Sequence, residues 1–210
     1  MKKHALRRIS IVGNMYFDTA TLRERMYVQP AGPVRFRSGR YSPRMLDQDV
    51  NVIRALYQTN GFRNVDVKAE VNENPIHHGD ITVTIQINEG RQWFVNSLEI
   101  EGVSAEDDPY IRPLLRSSQG QPFSASNVAA DHDAILSYFF NNGYPDANFN
   151  WTQSPGPDEG FVNLRFTVQP GKRQYVRGIL VRGLETTNPT LVASRILLKE
   201  GDPLSQSKNL

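Results

Sequence analysis

The hydrophobic and polar positions of the chain fall into a unit that recurs. Ile9 and Ile11, Leu98 and Ile100, and Ile179 and Val181 alternate with polar or neutral residues just before a glycine, the period of a short strand with one buried face. Further on, apolar residues come at helical spacing, as Leu46, Val50, Ile53 and Tyr57 and again in the stripe Val128, Asp131, Ile135 and Phe139. Both stretches stop at Asn-Gly, Asn60-Gly61 and Asn142-Gly143, where the glycine reads as a left-handed helix cap. Two alternating strands then close the unit. Val65, Val67 and Val71 are followed by Val83, Ile85 and Ile87, while Ala147, Phe149 and Trp151 are followed by Val162, Leu164 and Phe166.

A shorter helix is expected between the first strand and the long helix. Asp108-Pro109 and Asn188-Pro189 each pair an N-cap acceptor with a proline at the first helical position, and Thr21 with Glu24 offers a capping box. Ser42-Pro43, Ser124 and Ser205 mark the starts of the second helix. The predicted order is β-α-α-β-β, with both helices on one face of a small sheet because their apolar stripes need cover.

The recurrence holds residue by residue. The segment from Phe94 to Gly102 returns 81 positions later as Tyr175 to Gly183, with Leu6, Ile9, Ile11 and Gly13 as a first copy. Asp49, Ile53, Tyr57, Asn60, Gly61 and Phe62 return 82 positions later as Asp131, Ile135, Phe139, Asn142, Gly143 and Tyr144. Gly13 and Gly102 are 89 apart, so the first copy holds about eight extra residues, placed around Gln29-Pro30-Ala31-Gly32-Pro33 between its helices. Repeats are expected over residues 6–91, 92–172 and 173–210, the third carrying a first strand, a first helix and the start of a second helix. Such a third copy reads as the start of a unit in a longer protein.

Composition narrows the function classes. With 39% hydrophobic residues in 210, the chain can bury one large core or two small ones. A net charge of +2 is far from the clustered positive face of a nucleic-acid binder. The densest basic run, Arg35, Arg37, Arg40 and Arg44, reads as a solvated face, with anionic lipid headgroups as the functional alternative. Having no cysteine excludes disulfide scaffolds, thiolate metal sites and cysteine nucleophiles. No leader core and no apolar stretch of spanning length is seen.

No catalytic set emerges. Ser205-Gln206-Ser207-Lys208 fits a Ser-x-x-Lys pattern but sits at an expected helix start and lacks companion motifs. His77 and His78 with Asp80 read as hairpin-loop residues and not metal ligands. Asp107 and Asp108 read as cap and dipole partners. Neither a cofactor, a metal nor an enzyme activity is expected.

A strand ending in glycine, two helices, Tyr-x-x-x-Gly-Phe or Phe-x-x-x-Gly-Tyr, and a hairpin closing near Glu89-Gly90 or Pro170-Gly171 resemble the polypeptide-transport-associated (POTRA) domain. The resemblance runs from about Leu6 across nearly the whole chain and implies an α+β fold of tandem β-α-α-β-β repeats, each a three-stranded mixed sheet covered on one face by two helices. It implies a periplasmic row of modules preceding a membrane β-barrel that lies outside this chain, in a Gram-negative bacterium. The implied function is outer-membrane protein assembly, with unfolded clients and accessory lipoproteins as partners. A two-partner secretion transporter and a cell-division scaffold remain the alternatives.

A three-stranded sheet leaves backbone groups unpaired along its edges, and an extended guest strand can add there. The expected edge is the strand after the second helix, Asn64 to Val71 and Ala147 to Ser154. Val65, Asp66, Val67, Lys68 and Ala69 form the candidate client site in the first repeat; Ala147, Asn148, Phe149, Asn150, Trp151 and Thr152 form it in the second. The first is guarded by Asp66, Lys68 and Glu70, whereas Asn148 and Asn150 carry no charge. Trp151 is read as core, with contact to a client as the alternative. The short links between repeats single out Gly90, Trp93, Phe94, Gly171 and Tyr175 as hinge residues, with strand core as the alternative for Trp93, Phe94 and Tyr175.

Overall fold

The computed structural model describes residues 5–30, 39–77, 79–182 and 195–208. The chain divides into two compact units, residues 1–94 with 122–125 and residues 95–121 with 126–210. In the first, β1 (Ala5–Val12) leads to α1 (Thr19–Glu24), α2 (Pro43–Thr59), β2 (Asp66–Glu73) and β3 (Asp80–Asn88). The sheet order is β1-β3-β2, with β3 parallel to β1 and antiparallel to β2. The second set comprises β4 (Phe94–Glu101), α3 (Asp108–Ile111) running into a 3₁₀ turn at Arg112–Leu114, α4 (Ala125–Asn141), β5 (Asn148–Pro155) and β6 (Phe161–Gln169). Its sheet order is β4-β6-β5, so the fold is α+β with two three-stranded mixed sheets.

The central strand of each sheet alternates as its pattern demands. Ile81, Val83, Ile85 and Ile87 of β3 are buried beneath the helices, as are Val162, Leu164, Phe166 and Val168 of β6. Leu22 of α1 and Ile53 and Tyr57 of α2 fill the first core, and Ile111, Ile135 and Phe139 do the same in the second. Each such side chain stabilises its unit by about 1.5–3 kcal/mol relative to exposure. The glycines that end β1 and β4 have a steric cause. Gly13 (φ 83°) and Gly102 (φ 80°) run so close to β3 and β6 that an added Cβ would collide with the carbonyl oxygens of Ile87 and Val168.

Two aspartates in the apolar stripes turn out to be backbone clamps. Asp49 is fully buried and accepts the backbone N–H groups of Tyr27 (2.7 Å) and Val28 (2.9 Å). Asp131 does the same for Arg116 (2.5 Å) and Ser117 (3.0 Å). Each carboxylate on the long helix thereby fixes the link from the short helix, satisfying donors that have no ladder to join.

Several local expectations are corrected. The cap of α1 is Asp18, which accepts from Thr21 N–H at 2.6 Å, and not Thr21 with Glu24. Asp107 makes no cap bond, because its carboxylate is engaged by the hydroxyls of Ser104 (2.6 Å) and Tyr138 (2.8 Å). Asp108 is not the cap residue but stands in the first turn of the helix, where a dipole partner belongs, and pairs with Arg112. Ser42 does cap α2 through Met45 N–H, and the extra residues lie between α1 and α2, where Gln29 and Arg40 exchange backbone bonds. Ala31, Gly32 and Pro33, with Arg35 and Arg37 of the basic run, lie outside the described residues, as does His78.

The third copy differs most. Residues 176–182 form no strand, and Ile179, Leu180 and Val181 are exposed. In the two complete sheets the opening strand pairs with the last strand of its own set; the described residues after 173 hold no such partner. Asn188-Pro189 lies outside the described residues. Residues 206–208 make a bend and turn where a helix start was expected, and the Ser205 hydroxyl donates to Asn141 Oδ1 at 3.0 Å.

Candidate functional site

In both sheets the strand after the long helix is an edge, and ladder geometry decides which of its backbone groups face outward. Antiparallel residues alternate between those bonded to the neighbour and those whose N–H and C=O point away. Asn74 N–H bonds the Asp80 carbonyl at 2.8 Å, in register with the pairs Val67–Ile87 and Val71–Val83. The even-numbered residues of β2 therefore face β3, and Val67, Ala69 and Val71 face the free edge. In the other sheet Gly156 N–H bonds Phe161 C=O at 2.9 Å, in register with Phe149–Val168. Phe149, Trp151 and Gln153 face outward there, and Pro155, which has no N–H to lose, falls in the same phase.

The residues expected at the edge divide accordingly. Val67, Ala69, Phe149 and Trp151 offer outward backbone groups. Asp66, Lys68, Asn148, Asn150 and Thr152 lie on the strands, but their backbone groups are directed into the ladder. Val65 and Ala147 precede the strands, are buried, and spend their N–H groups on Phe62 and Tyr144 carbonyls at 3.2 and 3.3 Å. Val71 and Gln153, which lie within the expected edge strands but outside the candidate site residues, have outward groups too; the register that finds them cannot be read from alternation alone.

Side chains make the two edges unlike. Asp66 and Lys68 form an ion pair on the solvent face of β2. The positions of β5 that correspond to Asp66, Lys68 and Glu70 are the uncharged Asn148, Asn150 and Thr152. Trp151 is 39% exposed, which overturns its reading as core. It lies across from the buried Phe166, on the helix-covered face, at the margin of that cover.

The residues expected at hinges are held by local bonds. Trp93 N–H donates to Gly61 C=O and its own carbonyl accepts from Phe123 N–H, both at 2.8 Å, while the Arg63 guanidinium stacks 4.4 Å from its ring. The Trp93 Nε1 is buried without a hydrogen-bond partner. Phe94 bridges to Pro122, as Tyr175 does to Pro203. Tyr175 is 55% exposed, so it carries little packing. Gly90 (φ 67°) and Gly171 (φ 76°) both take the left-handed conformation that turns the chain out of the closing strand. The described residues contain no group of three or more His, Asp or Glu able to hold a metal ion.

The family model POTRA, the surface antigen variable number repeat, matches residues 5–90 and 94–171. The chain belongs to the POTRA family. This POTRA pair is similar to the outer membrane protein assembly factor BamA of Neisseria meningitidis, 23% identical over 206 residues that cover 95% of this chain and 26% of that protein. It is 20% identical to a putative outer membrane protein assembly factor of Treponema pallidum, covering 95% of this chain and 24% of that protein. The chain thus spans about a quarter of the length of these curated relatives. Among solved structures, POTRA domains 3–5 of Haemophilus influenzae BamA superpose with a TM-score of 0.60 at 24% identity, covering 98% of this chain and 82% of that one. That likeness carries the fold.

Proposed function

We propose that this tandem POTRA segment works in the periplasm as part of an outer-membrane protein assembly factor and holds unfolded client polypeptides by β-augmentation along β5. The observation that supports this most is the set of outward backbone groups at Phe149, Trp151 and Gln153 on an uncharged edge strand with a half-exposed tryptophan. Outer-membrane clients share alternating strands and not a common sequence, and main-chain pairing is indifferent to sequence. The relatives' role as assembly factors favours the same reading. Docking of accessory lipoproteins, contact of basic residues with anionic headgroups and attachment to a C-terminal membrane β-barrel belong to this proposal as its wider setting.

Binding is weak on this reading. Each main-chain bond contributes about 1 kcal/mol net, so a few of them with some apolar contact support dissociation constants on the order of a millimolar. The test is an NMR titration of the full chain with a peptide of about ten residues, the length of one barrel strand, alternating apolar and polar positions. Amide shifts are expected at Phe149, Trp151 and Gln153. Gln153→Pro removes an outward donor without touching the ladder and is expected to abolish them; a β5 edge silent to every such peptide overturns the reading.

A further inference from the structure

The two sheets differ in what covers their outward carbonyls, and the difference lies in arginines. In the first sheet, Arg54 of α2 donates from one guanidinium nitrogen to Asn51 Oδ1 at 2.6 Å and from another to the Val67 carbonyl at 3.1 Å. Val67 C=O is one of the acceptors that a guest strand on β2 requires. The far edge is treated likewise. Ala5 N–H bonds Gly79 C=O, and with the register shift after Leu6 the outward residues of β1 are Leu6, Ile9 and Ile11. Arg23 of α1 donates to the Ile9 carbonyl at 2.6 Å.

The second sheet has neither contact. The repeat places Leu136 where α2 has Arg54, and a leucine side chain offers no donor. It places Arg112 where α1 has Arg23, but Arg112 Nε is turned onto Asp108 at 2.7 Å. No described side chain bonds the outward backbone groups of Phe149, Trp151 or Gln153.

We infer that Arg54 and Arg23 are seals that close both edges of the first sheet to incoming strands, so that an extended polypeptide is directed to the second sheet. This rests on the edge-binding reading above and adds which repeat takes the client and which residues decide it. The reasoning is competitive: a guest strand on β2 must displace a charge-assisted hydrogen bond that is already made, and its backbone must occupy the space of the guanidinium. The cost of displacing one such bond lowers affinity by about tenfold. Asn51 is a positioning residue, holding the guanidinium from one turn earlier on the same helix.

The experiment titrates the full chain with the alternating peptide and follows amides of both edges. In the unaltered chain Phe149, Trp151 and Gln153 respond while Val67, Ala69 and Val71 stay still. Arg54→Leu installs the residue of the second repeat and is expected to make Val67, Ala69 and Val71 respond, with an affinity within a few-fold of that at β5. Leu136→Arg is expected to weaken binding at β5 by about tenfold. Arg54→Met retains the aliphatic stem and repeats the test should leucine disturb folding, which unchanged shifts elsewhere in the first unit report. If β5 binds and β2 remains silent in both Arg54 variants, the seal is overturned and the client site at β5 stands. Equal response of β2 and β5 in the unaltered chain also overturns it. A β2 that opens in Arg54→Leu beside a silent β5 upholds the seal and removes β5 as the site; silence at both edges in every variant ends both ideas.

Discussion

The two complete repeats share a plan yet differ at the residues that meet their surroundings. Both bury an aspartate that clamps the helix link, both end the long helix in a left-handed glycine, and both place a buried alternating strand at the sheet centre. At the strand after the long helix they part: β2 is ion-paired and arginine-capped, whereas β5 is uncharged and open. They also differ beneath the long helix. Tyr57 donates to Glu89 at 2.7 Å, and the same carboxylate oxygen accepts from Met15 and Tyr16 N–H; the second repeat has Phe139 and Pro170 at the matching places. What the repeats share is what the fold needs, and what they do not share is where their tasks can differ.

The shared features predict the largest and most symmetrical effects. Asp131→Ala strands the buried N–H of Ser117 and the part-buried N–H of Arg116 and should cost about 3 kcal/mol, a large part of the stability of a domain this size. Asp49→Ala should cost the same in the first unit, and urea unfolding measures both; a pair differing by more than about twofold breaks the equivalence of the clamps. Gly61→Ala ranks next. At φ 90° an added Cβ is strained and would lie 2.5 Å from the Trp93 carbonyl oxygen, so a loss of about 2 kcal/mol is expected, with a similar loss for Gly143→Ala.

The tyrosines should separate the units by pH. Burial first, and then the bond to the Glu89 carboxylate, push the Tyr57 phenol far above its ordinary value. Tyr138 is pushed up to about 12, again by desolvation first and by Asp107 second. A raised phenol pKa means the neutral form is favoured in the fold. Its stabilisation is complete below pH about 10 and is lost as pH rises toward the folded value. The first unit should therefore unfold in alkali with late ionisation of Tyr57, and Tyr57→Phe should flatten that dependence at a neutral-pH cost of about 1 kcal/mol. Ultraviolet titration of tyrosinate against circular dichroism checks this.

Much of the fold was legible because two copies of one pattern constrain each other. Periodicity located the strands and long helices, and the Asn-Gly caps located their ends. It does not tell a clamp from a packed residue, so Asp131 reads as one member of a helical stripe, and its recurrence from Asp49 at the same register shows the repeat without showing the clamp. Alternation gives the face a side chain takes but not the direction of its backbone groups. For that reason Asn150 and Trp151 are expected at the edge alike, although the outward backbone groups are those of Trp151 and Gln153 and not those of Asn150. Arg54 carries no motif; only its replacement by Leu136 in the second repeat sets it apart. In the third copy the same alternation, at Ile179 and Val181, has no ladder partner among the described residues, and alternation without a partner does not show as a strand.

Trp151 gives the smallest effect on the fold and the sharpest on the comparison of edges. A tryptophan 39% exposed at the margin of a helix-covered face loses little when replaced, so Trp151→Thr, which keeps strand propensity, should change stability by less than about 0.5 kcal/mol. Its side chain nevertheless stands on the face where alternate side chains of a guest strand on β5 would lie, within reach of cross-strand contact. Such aromatic pairs contribute up to about 1 kcal/mol, so peptide affinity should fall several-fold with the responding amides unchanged in identity. The matching position in the first repeat is Ala69, and Ala69→Trp alone should not create binding while Arg54 still holds the Val67 carbonyl. If it does, apolar area and not access to the backbone distinguishes the two edges.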